Sequence, residues 1–170
     1  MLSFDIRSLE SHAAHVDGEL APDDPVWEEG DVRPVKPILV HGRLSAAGPD
    51  RFYFSGRVKG AAEVPCRRCL KEVGVAVDEE AHFIFSSEGE DAEDDPDVYA
   101  FDPMAHNLDL RPAVRETWLL AVPGYVVCRE DCKGLCPNCG IDWNNGTCDC
   151  VPATAESRWD ALRAIRDQLP

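Results

Sequence analysis

Eight cysteines stand in four close pairs: Cys66 with Cys69, Cys128 with Cys132, Cys136 with Cys139, and Cys148 with Cys150. Nothing else in the 170 residues limits the fold as tightly. A Cys-x-x-Cys turn sets two thiolates on one side of a tight loop, where both reach a single tetrahedral ion. Two such turns close a four-coordinate site, so eight thiols suffice for two structural zinc ions, with one ion as the other arrangement. The segment CPNCGIDWNNGTCDC holds a pair, an eight-residue spacer with Asn-Asn-Gly turn chemistry, and a second pair. Cys136, Cys139, Cys148 and Cys150 are therefore expected to form one site. Cys148 and Cys150 are closer than in the usual knuckle, which leaves open that one of them is a spectator. The remaining Cys66, Cys69, Cys128 and Cys132 would form a second site, clamping two parts of the chain some sixty residues apart. In the alternative pairing Cys128 or Cys132 joins the C-terminal loop and leaves Cys66 and Cys69 a free dithiol.

Other uses of thiols are less well matched. A reducing compartment disfavours disulfides. An iron–sulfur cluster also takes four thiolates, but Gly after the second thiol of CPNCG suits the knuckle turn of a zinc ribbon. A redox Cys-x-x-Cys calls for a helix beginning at its first thiol, whereas Cys66 follows a strand and precedes Arg67-Arg68. A catalytic zinc keeps one position open and usually employs His or a carboxylate. His12, His15, His41, His82 and His106 are scattered, and none falls beside a cysteine. No Gly-rich phosphate loop or Gly-x-Ser-x-Gly elbow is present, so no enzymatic activity is expected. The rival from another functional class is a thiol-based redox or sensor protein using Cys66 and Cys69.

The formal net charge of −15 opposes general binding to phosphate backbones, which requires neutralising Lys and Arg. Seven acids and no base occupy residues 88–97, read either as a solvated loop or as a docking segment for a basic partner. No run of eighteen apolar residues exists. The opening MLSFDIRSLESHAAHV lacks the basic start and apolar stretch of a secretory signal, so a cytoplasmic location is expected.

Patterning predicts an α+β fold with an antiparallel sheet, a helix packed on it, a cysteine-rich zinc-binding C-terminal segment and a short C-terminal helix. Residues 1–34 read as a single edge strand (Leu2, Phe4, Ile6) and an irregular arm. Residues 35–127 form the β-rich core. There Ile38, Val40 and Leu44 share one parity, as do Phe52, Phe54 and Val58. Val73, Val75, Val77, Ala81, Phe83 and Phe85 share another, interrupted by Glu79. This core includes an acidic loop (86–100) and a helix (110–121) capped by Asp109, with Leu110, Val114 and Trp118 facing the sheet. Residues 128–170 hold the cysteine module and a final helix marked by Trp159, Leu162, Ile165 and Leu169.

The run CREDCKGLCPNCGIDWNNGTCDC followed by SRWDALRAI resembles the C-terminal signature of the YceD-type large ribosomal RNA subunit accumulation proteins. VPCRRCL after the β-rich segment is similar to that family's second landmark, and LDLRPAVRETWLLAVPG to a third. The resemblance implies a non-enzymatic factor in 23S ribosomal RNA accumulation and large-subunit assembly, and it carries over no catalytic residue. Ribosomal proteins or assembly factors of the large subunit are the implied partners. If RNA is touched, the expected surface is the cysteine module, where Arg67, Arg68, Arg129 and Lys133 sit beside thiol pairs. These cations are candidate phosphate contacts, and their alternative role is to offset thiolate charge.

Overall fold

The computed structural model describes residues 1–87, 98–151 and Arg166. The acidic stretch at 88–97 and, apart from Arg166, the C-terminal helix expected from the sequence lie outside the described residues. A five-stranded sheet in the order β2-β3-β4-β5-β6 dominates the chain. Its strands are β2 (Ala14–Leu20), β3 (Ile38–Gly48), β4 (Arg51–Pro65), β5 (Glu72–Ser86) and β6 (Val98–Ala100). The helix α2 (Arg111–Ala121) packs on it, giving an α+β architecture.

The alternation read from the sequence is the alternation the sheet uses. Val40 pairs with Val58, Leu44 with Phe54, and Phe54 in turn with Phe83. These side chains are fully or almost fully buried, while intervening residues such as His41, Arg57 and Glu80 face solvent. Period-two patterning with one apolar face is what a sheet covered on one side requires. Phe54 stacks on Phe83 with ring centroids 5.1 Å apart. The expected turn between β3 and β4 is closed at Gly48 and Arg51, with Asp50 in the left-handed region at φ 50°.

Three departures from the expected pattern have local causes. The N-terminal segment holds more than a single edge strand before its irregular arm. It contains β1 (Ser3–Asp5), the one-and-a-half-turn helix α1 (Ile6–Ser11) and β2. β1 leaves the main sheet and pairs with β7 (Asn107–Asp109). β2 was hidden because Gly18 occupies an inward position between Val16 and Leu20, where Leu2 packs so close that a Cβ would meet it at 2.7 Å. The sheet is also mixed rather than purely antiparallel, since β6 runs parallel to the end of β5. Finally, Asp109 caps from one residue earlier than a standard N-cap: Leu110 holds that position, and the Asp109 carboxylate accepts the Arg111 backbone N–H at 3.0 Å.

Helix α2 turns Ala113, Val114 and Trp118 inward, as its four-residue steps require. The Trp118 ring lies directly over Gly60, where an added Cβ would stand 2.6 Å from it, so only glycine leaves room. The Trp118 indole N–H donates to Val32 O at 2.7 Å, and the Trp27 indole N–H to Ala21 O at 2.7 Å. Two arginines of α2 complete the attachment of the irregular arm. Arg115 grips Asp31 in a fork, with Nε–Oδ2 at 2.7 Å and Nη2–Oδ1 at 3.0 Å, and reaches Glu28 at 3.1 Å. Arg111 holds Asp109 and extends to Asp24 at 3.5 Å.

The Arg115 guanidinium holds the Asp31 carboxyl below its ordinary range. A carboxylate with a depressed folded pKa stabilises the fold above its unfolded value, and that contribution disappears as pH falls through the folded value. Asp31→Asn should therefore melt earlier than the parent at pH 7, and the gap should close as pH drops below about 4. Melting curves across that range check the sign; a gap that stays constant with pH would show that the Asp31 charge is not the source.

Candidate metal centre

β4 and β5 form one long hairpin whose last pair is Pro65 with Glu72. Its tip is the turn containing Cys66 and Cys69. The Cys66 N–H donates to Lys71 O at 2.8 Å, and the Leu70 N–H returns to Cys66 O at 2.9 Å. A second turn repeats the pattern: the Cys136 N–H donates to Ile141 O at 2.9 Å and the Gly140 N–H to Cys136 O at 2.9 Å. The residue after the second thiol has positive φ in both, 60° at Leu70 and 75° at Gly140. Glycine takes this conformation freely, whereas a side chain pays a steric penalty.

The thiols gather into two sets of four: Cys66, Cys69, Cys128 and Cys132, and Cys136, Cys139, Cys148 and Cys150. Within each set the sulfurs lie within 4.8 Å of one another. Four thiolates around a zinc ion at about 2.3 Å define a tetrahedron with edges of about 3.8 Å. Cys66 Sγ is 3.9 Å from Cys132 Sγ, and Cys69 Sγ is 3.7 Å from Cys128 Sγ. Disulfides need sulfurs about 2.0 Å apart, and a cluster of several irons needs its ligands spread wider. The donor sets fit single tetrahedral ions and include Cys148 together with Cys150.

Around the first set the backbone supplies the secondary contacts. The Cys66 sulfur accepts from the Cys128 N–H at 3.4 Å and the Arg68 N–H at 3.5 Å. Amides from Cys69, Arg68 and Cys128 outweigh burial and bring the Cys66 thiol down to about 6. At Cys132, burial is outweighed by the Asn144 carboxamide and the Gly134 amide, so its pKa is lowered too. Burial and the adjacent Cys132 sulfur push Cys128 up to about 12. At Cys69 the Lys71 amide favours the thiolate, but burial and the Cys66 and Cys132 sulfurs prevail and raise it. In the second set the Cys139 and Asn138 amides bring Cys136 down to about 6, while the Cys139 sulfur and burial push Cys150 up to about 12. Each quartet thus holds a thiol that gives up its proton readily and another that resists, held back in part by its sulfur neighbours, a repulsion that a central dication would relieve.

The flanking arginines are used within the fold. Arg67 Nε donates to Gly124 O at 2.7 Å, and the Arg67 N–H to Val126 O at 2.8 Å. Arg68 Nη1 donates to Glu130 O at 3.2 Å and Cys132 O at 2.9 Å. Arg129 Nη2 donates to Asn144 Oδ1 at 2.8 Å, and its Nε pairs with Asp131 at 3.2 Å. Lys133 contributes its backbone N–H to Asn144 Oδ1 at 2.9 Å, with its side chain exposed. Arg67 and Arg68 thus brace the hairpin tip against the segment leaving α2.

Asn144 was legible only as turn chemistry, yet it joins the two quartets. It lies in the spacer of the second set, folded by the Asp142 carboxylate, which accepts the Asn144 N–H at 2.9 Å and Asn145 Nδ2 at 2.8 Å. From there Asn144 Nδ2 reaches the Cys132 sulfur of the first set at 3.5 Å. Trp143 Nε1 donates to the Cys148 sulfur at 3.4 Å, and Asn138 Nδ2 to Val151 O at 2.7 Å. The sequence signal for such partners is a donor side chain in a tight turn between ligand pairs.

Leu70 is 64% exposed, so its side chain adds little packing to offset its strained backbone. Leu70→Gly should raise stability by about 1 kcal/mol, read as a higher midpoint in chemical denaturation. A lower midpoint would mean that Leu70 makes a contact worth more than its strain.

No helix among the described residues is long and apolar enough to cross a membrane. No solved structure matches the chain. The chain is similar to the uncharacterized protein YlbN of Bacillus subtilis (strain 168), 29% identical over 114 residues, which are 66% of this chain and 64% of that protein. It is also similar to the large ribosomal RNA subunit accumulation protein YCED homolog 1, chloroplastic, of Arabidopsis thaliana. There the identity is 28% over 97 residues, 51% of this chain and 30% of the relative. The chain thus spans less than two thirds of the length of either relative. Residues 54–166, from within β4 through both cysteine quartets, match the family described as large ribosomal RNA subunit accumulation protein YceD, and the chain belongs to that family.

Proposed function

We propose that this protein is a non-enzymatic, cytoplasmic factor in 23S ribosomal RNA accumulation and large-subunit assembly, made rigid by two structural zinc ions. The observation that carries the proposal is the family match over a region containing two complete four-sulfur donor sets. A closed all-thiolate site leaves no coordination position for water or substrate, which favours a structural over a catalytic ion. When bound, zinc would supply the cross-link and neutralise the thiolate charge. Cys66, Cys69, Cys128 and Cys132 would hold the hairpin tip to the segment after α2, and the second quartet would fix the spacer that carries Asn144. Such a module presents a fixed surface to ribosomal proteins or assembly factors. The redox reading is disfavoured because Cys66 is fully buried and surrounded by three further thiols rather than standing as a free dithiol.

Depleting the protein from its host should lower 23S relative to 16S ribosomal RNA and reduce the large-subunit peak in a sucrose gradient. The parent gene should restore both, and Cys66→Ser or Cys136→Ser should not; unchanged 23S levels on depletion would refute the assignment. Elemental analysis of protein purified without added metal should find zinc filling both quartets, whereas iron, or metal for only one quartet, would refute the two-zinc reading. Asn144→Ala removes a donor to a ligand sulfur, and loss of such a contact typically weakens metal binding about tenfold or more. Competition with a chelator should therefore strip the first site of the variant sooner than that of the parent; equal rates would assign Asn144 a role in the turn alone.

A further inference from the structure

β5 is fully paired with β4 on one side, from Arg51 with Ser86 to Pro65 with Glu72. On the other side β6 covers Ile84, Phe85 and Ser86, and among the described residues no strand pairs with β5 from Glu72 to Phe83. An edge of this length with no partner strand among the described residues offers a row of backbone donors and acceptors to any extended chain. Beside it runs a groove of about 570 Å³ between the strand and α2, with Ala81, Phe83, Leu120 and Ala121 among its walls. Leu120 is 80% exposed on a helix whose opposite face is buried.

The same groove is acidic. Glu79, Glu80 and Glu116 line it. Glu80 is shared with Arg57 at 3.3 Å, while Glu79 and Glu116 are exposed and engage no cation among the described residues. Glu79 is the residue that breaks the apolar parity of β5. It occupies a core-side position opposite the buried Val58 but remains exposed, because the groove opens there. An inward charge on an edge strand is a device against unwanted pairing. Its effect depends on the sign of the incoming strand. A second copy of β5 would set the run Asp78-Glu79-Glu80 against acids and be repelled. A cationic strand would meet complementary charge at Glu79 and, across the groove, at Glu116, while Asp78 and Glu80 already face Arg57 and Lys59 of β4.

We propose that the free edge of β5 is a strand-addition site for an extended, Lys- or Arg-rich protein segment. Its backbone pairs with β5, and its alternate side chains reach into the groove between Leu120 and Glu79. Main-chain bonds supply the affinity in this mode and the alternating side chains the selectivity. The site is independent of the thiol quartets and stands whether or not they hold metal.

The probe is an alternating Lys-Val peptide long enough to span the free edge, tested on the full chain. Its controls are the alternating Glu-Val peptide and the Lys-Val peptide N-methylated at every second residue, which keeps the charge but cannot pair as a strand. Fluorescence anisotropy should show saturable binding of the Lys-Val peptide, with both controls at least about tenfold weaker. Hydrogen exchange should show new protection at alternate amides between Val73 and Phe83. Glu79→Lys combined with Glu116→Lys should weaken binding by a similar factor. Equal binding of the N-methylated peptide would reduce the site to charge attraction and overturn the proposal. So would full protection of the β5 edge before peptide is added, since another part of the chain would then cover it. Protection by a single-stranded RNA oligomer in place of the peptide would also overturn it. The peptide comparison is made on the parent protein and stands even if the double variant fails to fold.

Discussion

Four sulfurs meet at the tip of the β4–β5 hairpin, and the rest of the molecule is arranged around that meeting. The hairpin contributes Cys66 and Cys69 through a tight turn closed by its own backbone. The partners, Cys128 and Cys132, come from the segment that follows α2, a helix seated on the sheet through Trp118 and Gly60. Arg67 and Arg68 fix the two pieces to each other through carbonyl oxygens, so the junction is a hydrogen-bonded joint as well as a sulfur cage. Asn144 then ties the second quartet to the first through the Cys132 sulfur. Sheet, helix and cysteine loop form a series in which each piece positions the next.

Much of this was legible in the sequence, for reasons that differ by element. Strands β3, β4 and β5 showed themselves because one face is covered and the other is wet, which imposes strict alternation. Helix α2 was visible because Leu110, Val114 and Trp118 lie on one stripe. The division of cysteines into quartets followed from the reach of a Cys-x-x-Cys turn, though spacing alone left other pairings open. What was illegible depended on tertiary contact. The apolar signal of β2 is interrupted at Gly18 because Leu2 fills that space. β6 and β7 are three residues each, too short to carry a period. Leu70 gave no sign of its left-handed backbone, since a glycine is the usual marker and only the second turn has one. The link through Asn144 requires the two quartets to be neighbours, which no local pattern encodes.

Charge is distributed with the same economy. The arginines beside the thiols and on α2 are engaged with carbonyls, Asp31, Asp109 or Asn144. On the outer face of the sheet, Arg57 and Lys59 are matched by Asp78 and Glu80. These cations are thus engaged internally, and among the described residues carboxylates such as Glu79 and Glu116 stand exposed with no cation engaging them. The molecule presents itself to partners mainly as an anion.

The two quartets differ in how much chain must be organised before each can form. The second draws all its sulfurs from residues 136–150, whereas the first joins residue 66 to residue 132. Closing the longer loop costs roughly 1 kcal/mol more in chain entropy, and it further requires the hairpin and α2 to be in place. The second quartet can therefore assemble locally on an otherwise unfolded chain, while the first is a product of the finished tertiary structure. Loosening of the core would reach them unequally: with ions bound, the hairpin tip would part from its partners while the short cysteine loop kept its shape.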